Sequence, residues 1–147
     1  MNLKTIRIVS IVLASIGLID SIYLTWVKVT NRYALCGPIG DCESVNSSRY
    51  SEIGGVPIAL LGAGAYLLII VLLALEPRGG IWMEYGPYVV LGITIAGSLY
   101  SIYLTYLEVA VIHAICPYCV VSAIVIIALF ILSLVRLTVY EPEYSYE

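Results

Sequence analysis

The sequence predicts an all-α integral membrane protein: a bundle of four transmembrane helices with one long extracytoplasmic loop. Three observations carry this. Hydrophobic residues make up 61% of the 147 residues and charged residues only 12%, against about 45–50% and about 25% in soluble globular proteins. Mean hydropathy is +1.01, more apolar surface than a small soluble domain can bury. The apolar residues also fall into four unbroken runs, about 8–27, 57–75, 87–107 and 117–137. Each approaches the roughly 20 residues that a helix rising about 1.5 Å per residue needs to cross about 30 Å of hydrocarbon. With seven Lys+Arg and a net charge of −3, there is no basic surface for nucleic acid. Composition equally excludes a disordered chain and a free-standing cytosolic enzyme.

The elements follow in order. Lys4 and Arg7 precede the first run, whose length and lack of a following small-x-small site mark a membrane helix rather than a cleaved leader. Leu35 before Cys36 argues against a lipoprotein cleavage site. The long loop spans 28–56 and a turn spans 76–86. Trp26 and Tyr33 flank one interface, Trp82, Tyr85 and Tyr88 the other. Pro57, Pro87 and Pro117 are each expected at a helix start, where a missing N–H costs nothing. Gly62, Gly64, Gly92 and Gly97 are expected to let helices approach closely. Residues 1–139 form the membrane domain, and the acidic tail 140–147 is expected to fray. Lys4, Arg7, Arg78 and Arg136 outnumber Lys28, Arg32 and Arg49 of the loop. The charge rule therefore puts the N-terminus in the cytoplasm and the loop outside.

An internal repeat adds a constraint. Ser21-Ile22-Tyr23-Leu24-Thr25 recurs as Ser101-Ile102-Tyr103-Leu104-Thr105, and the same offset aligns Gly17 with Gly97 and Cys36 with Cys116. Duplication or a shared packing demand explains it better than chance in an apolar chain. Two crossings separate Cys36 from Cys116, so they emerge on one side. Ser21, Thr25, Ser101 and Thr105 are expected to hydrogen-bond across the bundle.

The four cysteines, Cys36, Cys42, Cys116 and Cys119, form two pairs at span ends. Cys116-Pro117-Tyr118-Cys119 opens a helix, placing Cys116 at the cap and Cys119 in the first turn. The partial positive charge of a helix N-terminus favours the thiolate that attacks disulfides. The first pair encloses two glycines and a proline, and so small a ring gains little stability from closure. Three chemistries remain open for these sulfurs: thiol–disulfide exchange, structural disulfides, and a zinc site. Exchange fits the spacing best, since the first gap is wide for zinc and His113 reads as an interfacial residue. Asp20, roughly two turns below the outer end of the first span, is costly there unless it meets water, a partner or a proton.

These motifs, with Ser47-Ser48-Arg49-Tyr50 soon after the second loop cysteine, resemble the vitamin K epoxide reductase family over nearly the whole chain. The resemblance implies a relay. Cys36 would exchange with a thioredoxin-like (DsbA-like) protein, and Cys42 would pass the electrons to Cys116. Cys119 would reduce a quinone of ubiquinone or menaquinone type held in the bundle near Ser48. Some relatives carry a fused thioredoxin-like domain; here the partner is expected to be a separate protein. The vertebrate branch has a tyrosine where this chain has Ala123, which favours a microbial disulfide-forming enzyme over epoxide chemistry. Quinone reduction consumes protons, and Asp20 is a candidate relay. The sulfurs and the quinone suffice, so no metal is implied. The primary reading is a quinone-dependent thiol oxidase of the cell membrane, with its cysteines extracytoplasmic. The alternative is a non-catalytic four-span scaffold with two structural disulfides.

Overall fold

The computed structural model describes residues 2–32 and 40–144, with side chains as far as residue 139. Among them, four helices are long and apolar enough to cross a membrane: α1 (Leu3–Val29), α3 (Ile58–Leu75), α4 (Ile81–Leu107) and α5 (Pro117–Tyr144). Helix α1 packs on α3 and α5, and α4 packs on the same two helices. The ring order is therefore α1–α3–α4–α5, with α1 and α4 diagonal. This is the membrane bundle that composition and run length predict.

Diagonal placement explains the repeat and corrects one expectation. Thr25 and Thr105 do not reach across the bundle; their hydroxyls donate to the carbonyls of Ser21 and Ser101 in their own helices, each at 2.8 Å. Ser21 and Ser101 instead line a central cavity from α1 and α4. The repeated glycines do bring helices together. A Cβ on Gly17 would lie 2.4 Å from the Tyr66 ring of α3, and one on Gly97 would lie 2.9 Å from Ile126 of α5. Gly62 packs against Ser21, whereas Gly64 and Gly92 face open space and mark no close approach.

Two further expectations change. Gly79 and Gly80 adopt positive φ, 76° and 65°, after a short 3₁₀ turn, so α4 starts directly behind them at Ile81. Pro87 consequently lies inside α4 rather than at its start, and its missing N–H deprives the Met83 carbonyl of a helical donor. Helix α5 also runs through Tyr144, into the tail expected to fray. Arg136 lies at the end of the bundle remote from the cysteines. It is 4% exposed and pairs with Glu76.

The loop after α1 folds as a cover over the other end. It contains α2 (Cys42–Ser47), a 3₁₀ turn at Arg49–Ser51, and a hairpin of β1 (Glu52–Ile53) and β2 (Val56–Pro57). Ile53 pairs with Val56 around Gly54-Gly55, both at positive φ, as a two-residue hairpin turn requires. Lys28, at the end of α1, fastens this cover. Its ammonium donates to the Asn46 carbonyl at 2.7 Å and to the Ser51 hydroxyl, and pairs with Glu52 at 3.2 Å.

Candidate redox site

Helix α2 begins at Cys42 because Asp41 caps it. The Asp41 carboxylate accepts from the Ser44 N–H at 3.1 Å and from the Ser44 hydroxyl at 2.7 Å, which holds Asp41 below the usual carboxylate range. The Asp41 N–H donates to the Ile115 carbonyl at 3.0 Å, fixing the cover to the segment ahead of α5. That bond sets the two cysteine-bearing segments side by side.

On the other segment, α4 continues into a π turn at Glu108–Ile112, closed by His113 at φ 55°. Both are uncommon geometries that concentrate at functional sites. The chain then extends to Cys116, whose carbonyl accepts from the Val120 N–H at 3.1 Å. Cys116 is thus the cap of α5, with Pro117 in the first helical position and Cys119 in the first turn, as the sequence predicts. Tyr118 packs against Tyr23 of the α1 repeat, with ring centroids 5.1 Å apart and planes tilted by 46°.

The sulfurs of Cys42 and Cys116 lie 3.4 Å apart, and both residues are 1% exposed. Cys42 is disulfide-bonded, whereas Cys116 and Cys119 are thiols. The Cys119 thiol hydrogen-bonds to Cys116 and holds it below the usual thiol range against the opposing effect of burial. Cys36 and the interfacial Tyr33 lie outside the described residues.

Beneath the sulfurs is a cavity of about 570 Å³, within the roughly 300–1,000 Å³ of small-molecule sites. Cys116 and Cys119 line one wall, Ser48 and Tyr50 of the cover another, and Asp20 and Tyr66 lie among the remaining lining residues. The Ser48 hydroxyl donates to the Val45 carbonyl at 2.8 Å, so this serine both closes the α2 turn and faces the chamber. The Tyr66 hydroxyl lies 2.9 Å from the Ser122 hydroxyl. Asp20 Oδ2 is buried without a hydrogen-bond partner among the described residues.

Sequence reasoning missed Glu108. This carboxyl is 4% exposed, lines the cavity and accepts from the Cys116 N–H at 3.3 Å. The signal was a lone acid at the end of an apolar run, eight residues before Cys116. Only the π turn, which sequence does not reveal, folds it back beneath the cysteines.

Fold and site together define a class: a four-helix membrane protein in which sulfurs from two segments meet at the mouth of an apolar chamber. More specifically, the chain belongs to the vitamin K epoxide reductase family, whose model matches residues 8–134. It is 37% identical over 123 residues to the thiol-disulfide oxidoreductase LTO1 of Arabidopsis thaliana. That match takes in 79% of this chain and 32% of the plant protein, so the chain spans about a third of its relative's length.

Proposed function

We propose that the chain is a quinone-dependent thiol-disulfide oxidoreductase. It draws electrons from a separate thioredoxin-like (DsbA-like) protein at Cys36, moves them from the Cys36–Cys42 pair to the Cys116–Cys119 pair, and delivers them to a membrane quinone of ubiquinone or menaquinone type. The observation that carries this is the 3.4 Å approach of Cys42 and Cys116 at the mouth of the cavity. Exchange between those sulfurs needs only a small displacement. The scaffold alternative gives no role to the approach of Cys42 to a cysteine of the other pair.

The residues fit a quinone. The chamber wall is largely apolar, as a ring and isoprenoid chain require, and the unpartnered Asp20 oxygen together with the Ser48 and Tyr66 hydroxyls suits a polar head group. When bound, a quinone supplies acceptance of two electrons and two protons. The chain supplies the rest. Cys42 carries electrons from the cover to Cys116, Cys119 collects them at the cavity wall, and Asp20 holds an oxygen available to a proton. Disulfide formation belongs to oxidising compartments, so the cysteine end is assigned to the extracytoplasmic face of the cell membrane. There the enzyme would support disulfide formation in exported proteins.

The test is quinol formation by purified protein in lipid nanodiscs, supplied with reduced thioredoxin and a short-chain quinone. Wild type should turn over. Cys36→Ala should lose turnover with thioredoxin yet keep it with a small dithiol, and Cys119→Ala should lose both. Absence of quinol from wild type with every thiol donor would refute the proposal.

A further inference from the structure

The exchange between Cys42 and Cys116 creates a charge that the relay must place somewhere. When a thiolate attacks the Cys116–Cys119 disulfide at Cys116, the electron pair of the broken bond goes to the Cys119 sulfur. The leaving sulfur is that of Cys119, half-buried in a largely apolar cavity wall, where an adjacent acid is a better-placed proton source than bulk water. Glu108 is already in place. Its carboxyl is 4% exposed and lines the same cavity as Cys119, and its Oε2 accepts from the Cys116 N–H at 3.3 Å. The two ion pairs among the described residues are Lys28–Glu52 and Arg136–Glu76, so no basic side chain among them neutralises Glu108.

We infer that Glu108 is a catalytic acid–base of the inner cysteine pair, protonating the Cys119 sulfur as it leaves and taking that proton back in the reverse exchange. This rests on the relay reading above. The step balances. Cys42 thiolate attacks Cys116 Sγ, the Cys42–Cys116 bond forms, and the Cys116–Cys119 bond breaks. The electron pair passes to Cys119 Sγ, and the Glu108 carboxylic acid supplies its proton and becomes a carboxylate. One disulfide replaces another with no net oxidation, and the negative charge moves from Cys42 to Glu108. The Cys116 N–H then stabilises the new carboxylate as a charge-assisted donor. A protonated sulfur is the better leaving group, and positioned acids accelerate such steps by about 10²–10⁴-fold.

The test uses the full chain in quinone-free nanodiscs with Cys36→Ala, so that exchange stops at the Cys42–Cys116 bond. The inner pair is oxidised in acid, the pH is raised, and samples are quenched and mapped by mass spectrometry without reduction. With Glu108 present, the rate of Cys42–Cys116 formation should trace a bell against pH: rising as Cys42 ionises, falling as Glu108 does. Glu108→Gln keeps an oxygen for the Cys116 N–H but carries no proton to give. It should slow bond formation by about tenfold or more and abolish the falling limb, while Glu108→Asp should restore part of both. A Glu108→Gln rate and pH profile matching its parent, or a faster rate from simple removal of a negative charge, would overturn the inference while leaving the relay standing. If the parent with Glu108 intact never forms the Cys42–Cys116 bond, the relay itself falls and takes this role of Glu108 with it.

Discussion

Gly17→Ala tests the packing that frames the cavity. The added Cβ would sit 2.4, 2.5 and 2.8 Å from three carbons at the hydroxyl end of the Tyr66 ring. Ordinary carbon contacts begin near 3.5 Å, so ring or helix must move by about 1 Å. Tyr66 has little freedom to do so. It is 3% exposed, and its hydroxyl donates to the Ser122 carbonyl at 3.0 Å and meets the Ser122 hydroxyl at 2.9 Å. Overpacking costs about 1–3 kcal/mol and the strained hydrogen bond about 1 kcal/mol more. Alanine's advantage over glycine within a helix offsets about 0.8–1 kcal/mol of this. The net expectation is a loss of about 1–3 kcal/mol, read by reversible denaturation in mixed micelles. Gly64→Ala is the control. Nothing lies within 4 Å of its built Cβ, so only the helix gain applies and stability should hold or rise. Tyr66→Leu in the Gly17→Ala background should recover part of the loss through coupling in a double-mutant cycle. Equal stability of Gly17→Ala and Gly64→Ala would refute the reasoning, because the clash would then be absorbed without cost.

Two further predictions concern the ends of the bundle. Lys28→Met should unfasten the cover. A hydrogen bond to a charged donor is worth about 1.5–3 kcal/mol, so alkylation of Cys116 beneath the cover should accelerate by about tenfold or more. Glu52→Gln, at a residue whose side chain is 46% exposed, should change that rate little; equal rates in Lys28→Met and wild type would show that the cover is held by something else. At the other end, Arg136→Met leaves Glu76 without its buried partner and should destabilise by about 3–5 kcal/mol. Arg136→Met combined with Glu76→Gln should recover most of it, and additive losses in thermal unfolding would argue against the pairing.

Much of the frame was legible because bilayer thickness and helix rise translate directly into run length. The α5 start was equally legible, since proline and the cysteine before it specify a cap locally. Pro87 misled because proline at a span start is a frequency argument, while the adjoining Gly79 and Gly80 turn the chain earlier. Thr25 and Thr105 misled because spacing on one face does not say which helix stands opposite. The diagonal arrangement leaves a chamber between the two repeats, and each threonine satisfies itself on its own backbone. The Arg136–Glu76 pair is not legible in sequence, because the two residues are distant in the chain and only the fold brings them together. Glu108 and Lys28 were hidden for a related reason: one depends on a π turn, the other on a cover folding back over the end of α1.

The cover also determines which motions the proposed relay needs. A disulfide bond is about 2.05 Å long, so Cys42 and Cys116, at 3.4 Å, need close by only about 1.4 Å to bond. Side-chain rotation at either cysteine can supply that while the Asp41 N–H stays on the Ile115 carbonyl and Lys28 stays on Asn46. In the proposed relay, exchange between the two segments would therefore proceed with the cover shut over Cys116. A shut cover limits proton supply just as it limits water, and an acid beside Cys119 is what such a closed site requires. Lys28 and Glu108 then serve complementary ends. In the proposed relay, the lysine would keep solvent out of the exchange, and the glutamate would supply the proton that solvent would otherwise have brought. Loosening the cover should accordingly weaken the dependence of exchange on Glu108: in a Lys28→Met background, Glu108→Gln should slow Cys42–Cys116 bond formation less than it does beneath the intact cover. An undiminished effect of Glu108→Gln there would mean that water has no route to Cys119 even when the cover is released.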